Sequence, residues 1–147
     1  MNPRGGAAVA RLDELGAIEA GAVLCLRLWC AGPDTPERRA FEAEAGDHGG
    51  RAALAAIGGL CDMMRAYGRR PLMRHDIACG CVGGDEACLA RIVEAATAGD
   101  RDDAMLMATL LVRADLACGF VAFAEQAGVA LARLAVTPAT PAPSRLH

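Results

Sequence analysis

Apolar residues recur at every third or fourth position through most of this chain, the spacing that lays one stripe along an α-helix. The first stripe runs Leu12, Leu15, Ile18, Ala22, Leu26 and Trp29, and "AGPDTP" stops it. Thr35 followed by Pro36 predicts a second helix start, because proline fits the first helical position and a hydroxyl can cap free amides. The charged segment "ERRAFEAEA" follows, and "GDHGG" interrupts it. A third stripe carries Leu54, Ile57, Cys61 and Met64, with Gly58 and Gly59 inside it, where a close approach by another backbone is expected. "GRRP" ends that helix. Asp85 is expected to cap a helix reaching about Ala98, with Leu89, Ile92, Val93 and Ala96 inward.

The last third is the most apolar. "DRDDAMLMATLLV" starts acidic, as a helix N-terminus prefers, then turns apolar nearly all round, which predicts a short central helix. Leu116, Phe120, Phe123, Ala127, Ala130 and Leu134 give the final stripe. The expected fold is therefore all-α, a compact bundle of five or six helices with no sheet. Residues 1–135 form one domain that begins with a loose segment over residues 1–9. The Pro/Ala/Thr-rich residues 136–147 are expected to be a disordered tail.

Composition narrows this picture. Apolar residues make up 54% of the 147 but aromatics only 3%, so the core must be aliphatic and closely packed. The surplus of apolar surface on the last two helices predicts a homodimer that buries part of the final helix. A net charge of −3 argues against nucleic acid, which needs a basic face. The run "GAIEAGAVLCLRLWCAG" carries Glu19 and Arg27 and fits neither a signal peptide nor a membrane span, so a cytoplasmic protein without a membrane is expected. Seven cysteines, an odd number scattered along helices, do not form a secreted disulfide framework. Cys25, Cys61 and Cys118 sit among apolar helix residues and read as small buried hydrophobes.

Candidate chemistry gathers in "RHDIACGCVGGDEAC", residues 74–88. His75, Cys79, Cys81 and Cys88 are the residue types that zinc takes, although Cys-x-Cys departs from the usual Cys-x2-4-Cys bite. Asp76, Asp85 or Glu86 could support such a site. A redox reading pairs Cys88, in a first helical turn, with Cys79 or Cys81; the acids beside Cys88 oppose it. A phosphate cradle is the weakest reading, since Gly80-x-x-Gly83-Gly84 is not the dinucleotide fingerprint. A structural reading makes the glycines and acids a helix start and nothing more.

Just upstream, Arg65, Arg69, Arg70 and Arg74 form the one cationic cluster, suited to an anionic ligand or an acidic partner. Catalysis has little support. The only serine, Ser144, lies in the tail, and a cysteine nucleophile would need His75 or His48 to meet Cys79, Cys81 or Cys88. The chain reads as a small cytoplasmic helical interaction or regulatory module, homo-oligomeric and without a catalytic residue. The alternative is a zinc-binding or thiol-redox protein built on the His75/Cys79/Cys81/Cys88 loop.

Overall fold

The computed structural model describes residues 6–136, and the fold is all-α. Six helices form a bundle: α1 (Ala17–Ala31), α2 (Pro36–Ala45), α3 (Gly50–Tyr67), α4 (Gly84–Ala98), α5 (Arg101–Ala108) and α6 (Ala117–Val136). Their apolar stripes meet in one core. Phe120, Leu26, Leu54, Ile57, Leu60, Leu89 and Ile92 are its largest fully buried apolar side chains. The helix α6 packs chiefly on α3 and α4, and α1 closes against α3 and α4 from the other side. By length and composition Ala114–Ala135 could cross a membrane; here its buried side turns Phe120, Val121, Ala124 and Ala127 into the core.

Several expectations are corrected. A small sheet exists: β1 (Ala8–Arg11) pairs antiparallel with β2 (Cys81–Gly83), with Arg11 opposite Cys81 and Ala8 opposite Gly83. The start of the chain is thus partly ordered rather than loose, and the first helix begins at Ala17 instead of near Leu12. Leu12 and Leu15 still pack on the core, from a 3₁₀ turn and its end. The same apolar positions serve a bundle whether or not a helix carries them, so periodicity alone misplaces the boundary.

Pro36 is the first residue of α2, as the sequence predicts, but the Thr35 hydroxyl donates back to the Gly32 carbonyl at 3.2 Å instead of capping the helix. The glycine break appears as a 3₁₀ turn, Gly46–His48, followed by Gly49 at φ +105°. At Gly58 and Gly59 the close approach is by aromatic rings, not backbone. A methyl group on Gly58 would lie 2.6 Å from the Trp29 ring, and one on Gly59 2.7 Å from Phe123.

The short helix α5 is peripheral. It buries Ala104 and Ala108, while Leu106 is 69% exposed and Leu110, just past its end, 67%. An all-round apolar helix needs neighbours on every side, and α5 finds its main ones among the described residues in α4 and α6. α6 runs through Val136, where the tail was expected to start. Residues 137–147, on which the expectation of disorder falls, lie outside the described residues.

Candidate functional site

The loop that attracts attention in the sequence is organised by a residue from elsewhere. Arg27, 1% exposed on α1, reaches into it with four N–H groups. Nε and Nη2 donate to the two Glu86 carboxylate oxygens at 2.7 and 3.0 Å. Nη1 donates to the Cys79 carbonyl and Nη2 to the Cys81 carbonyl, both at 2.6 Å. Glu86 is wholly buried, and its Oε1 also accepts from the Gly83 amide at 3.2 Å, which caps α4 from inside. The expected cap, Asp85, does something else. Both its oxygens accept from Arg70, one of them at 2.7 Å, and Oδ2 accepts from the Met73 amide at 2.8 Å. Asp85 and Glu86 therefore hold the loop to α1 and to the arginine segment.

The four zinc-type residues are not gathered. His75 is buried and its Nδ1 stands 3.8 Å from the Cys79 sulfur, but that is a pair. Cys81 lies in β2 opposite Arg11. The Cys88 thiol points to the Met107 carbonyl at 3.9 Å. Among the described residues no three His, Cys, Asp or Glu side chains converge where they could hold a metal ion. The reason is the Arg27 strut: it draws the carbonyls of Cys79 and Cys81 inward, so the chain between them is fixed by its backbone. Burial, and then the charge of Asp85, raise the Cys88 thiol, which works against a thiolate there. His75 Nε2 is buried with no hydrogen-bond partner among the described residues.

The cationic cluster does converge. Arg65, Arg69, Arg70 and Arg74 line one side of a cleft of about 730 Å³, with Trp29, Cys30, Cys61, Asp62, Met64 and Leu72 completing it. The segment that bears them is held in place rather than loose. The Arg69 amide donates to the Leu111 carbonyl at 3.1 Å, its Nε to the Thr109 carbonyl, and Gly68 bridges Val112. Arg70 is bound to Asp85, and Arg65 lies 3.3 Å from Asp62 on the exposed helix face. Arg74 reaches the Cys30 carbonyl at 3.4 Å.

That cleft contains a thiol pair that sequence spacing did not reveal. Cys30, at the end of α1, and Cys61, in the middle of α3, both line it, on two helices that pack on one another. The Cys61 thiol donating to Cys30 lowers the Cys30 thiol most; burial and Glu86 oppose this and Arg74 adds to it, leaving it at about 6. The same hydrogen bond and burial raise Cys61. Of the two, Cys30 is the thiol that ionises more readily and Cys61 the one that keeps its proton. Cys61 is partly buried against the core rather than enclosed in it, and Cys118 is exposed; Cys25 is the fully buried one of the three, 1% exposed and pushed up to about 12 by burial. The signal available in the sequence was only that Cys30 and Cys61 each sit near the end or middle of an apolar helical stripe. Compared with protein-family models, with curated proteins and with solved structures, the chain gives no match that would show a relationship.

Proposed function

We propose that this protein is a small helical ligand-binding module of regulatory type, which takes a small anionic ligand, a carboxylate or phosphate, in the arginine-lined cleft and associates with a second copy of itself. One observation carries this reading. The four arginines of a single segment, Arg65 to Arg74, stand around one cleft whose size suits a small molecule, on a segment fixed by backbone hydrogen bonds. Arginine forks recognise carboxylate and phosphate bidentately, and fixing the segment lowers the ordering cost of binding. Arg69 and Arg74, exposed and half-buried, each give one guanidinium N–H to a backbone carbonyl and keep others for a ligand, while Arg70 is committed to Asp85.

Trp29 is the only tryptophan and lines the cleft, with the Arg38 guanidinium 4.7 Å above its ring. Its fluorescence therefore reports on occupancy. Titration with citrate and with inorganic pyrophosphate is expected to give a saturable change that weakens about tenfold or more in Arg74→Ala, in line with the loss of one charge-assisted hydrogen bond. A change that is absent, or equal in the wild type and in the Arg69→Ala/Arg74→Ala protein, refutes the reading. Zinc on the His75/Cys79 side of the loop remains the alternative, supported by one His–Cys pair and a buried unpartnered Nε2.

A further inference from the structure

We infer that Cys30 and Cys61 form a thiol–disulfide exchange site in the wall of the arginine cleft, which accepts oxidising equivalents from a small anionic disulfide. The placement is specific. The two sulfurs come from different helices, α1 and α3, that pack directly on one another, and both residues face the cleft and are half-buried. A ligand that fills the cleft can reach them. Neither Cys25, which is enclosed in the core, nor Cys88, which points to a backbone carbonyl, shares that access to the cleft.

The roles differ. Cys30 has the Arg74 guanidinium 3.4 Å from its own carbonyl, and that cation together with the neighbouring Cys61 side chain favours negative charge on the Cys30 sulfur. Cys61 keeps its proton, with the Asp62 carboxylate next in the chain adding to that preference. In the reaction the Cys30 thiolate attacks one sulfur of the incoming disulfide, a mixed disulfide forms, and one thiolate leaves. The departing thiolate takes the Cys61 proton. The Cys61 sulfur then attacks the Cys30 sulfur, the Cys30–Cys61 bond forms and the second thiolate leaves. Two protein thiols are oxidised and one small disulfide is reduced to two thiols, so electrons balance without a further reactant.

The choice of an anionic disulfide rests on the anion-binding reading, because Arg65, Arg69 and Arg74 are what would steer it; the exchange itself rests on the thiol pair. The reduced full-length protein is treated with oxidised glutathione or with cystamine, a cationic disulfide, quenched in acid and mapped by peptide mass spectrometry. The expected products are a Cys30–Cys61 disulfide in the wild type, glutathione held on Cys30 in Cys61→Ser, and no modification of Cys61 in Cys30→Ser. Glutathione is expected to react about tenfold faster than cystamine, as electrostatic steering of an anion allows. Because the wild-type map needs no variant, a folding failure in either serine protein does not rescue the idea. Modification confined to the exposed Cys118, with Cys30 and Cys61 left reduced, overturns the proposal. A Cys30–Cys61 bond formed equally fast with both disulfides leaves the exchange site standing and overturns the anionic preference together with the anion-binding reading.

Discussion

Arg27 is a cation in the apolar, buried part of α1, and its guanidinium would be costly inside a bundle if it stood alone. It does not: Glu86 neutralises it, and the Cys79 and Cys81 carbonyls take its remaining inward N–H groups. Such a pair contributes less net stability than its Coulomb energy suggests, since both ions must leave water; removing one partner is what costs most. Arg27→Met is therefore expected to destabilise the fold by about 3–5 kcal/mol, measured by urea unfolding. The Arg27→Met/Glu86→Gln protein should recover part of that loss, because the stranded carboxylate is gone. A single substitution within experimental error of the wild type would show that the strut is dispensable.

At the scale of elements, the helices are set against one another by small residues opposite large ones. Gly58 on α3 receives the Trp29 ring, and alanine there would place a methyl group within 2.6 Å of it. Alanine gains about 1 kcal/mol in helix propensity over glycine. Overpacking against a rigid ring costs about 1–3 kcal/mol, so Gly58→Ala is expected to lower the melting temperature. Gly84→Ala, where nothing lies within 4 Å of the added methyl, is expected to leave it unchanged or raise it.

The contact between α1 and α4 adds a pH dependence. Hydrogen bonding to Glu94, then burial and the Glu94 charge, raise the Glu19 carboxyl to about 7 from 4.5, against a smaller opposing effect of Arg91. Between those two values the folded chain holds a proton that the unfolded chain releases. Stability from this pair is therefore complete below pH 4.5 and is lost as the pH rises through about 7. Glu94→Gln should flatten that slope in denaturant titrations run across the window; an unchanged slope would place its origin elsewhere.

For the whole molecule, the open question is what covers α5. Leu106 and Leu110, four residues apart, are both about two-thirds exposed, and Val129 on α6 is 46% exposed. Self-association through apolar surface of this kind is part of the proposed function, and it predicts a dimer mass by light scattering at micromolar concentration. Leu106→Ser/Leu110→Ser should then give a monomer of unchanged helicity. A wild-type monomer would mean that these leucines simply face water, as isolated surface apolar residues commonly do.

Three-four apolar spacing by itself determined that the chain is helical, that it has five or six helices, and which positions of α3, α4 and α6 face inward. That pattern is local: burial of one stripe is the same requirement whatever the stripe packs on. The arginine cluster was legible for a similar reason, since its members lie within ten residues of one another, from the last turn of α3 into the segment after it. What only the tertiary structure decided depends on partners far apart in sequence. Arg27 was visible as a charge that interrupts an apolar run, but its partner Glu86 lies 59 residues away. Cys30 and Cys61 line one cleft because α1 packs on α3, and no spacing along the chain encodes that packing. The strand β1 pairs with residues 70 to 75 positions later, so neither partner shows an alternation long enough to read. The gathering of Cys/His residues in residues 74–88 was real as sequence and not as geometry: a short loop held by its carbonyls leaves its side chains pointing to different neighbours.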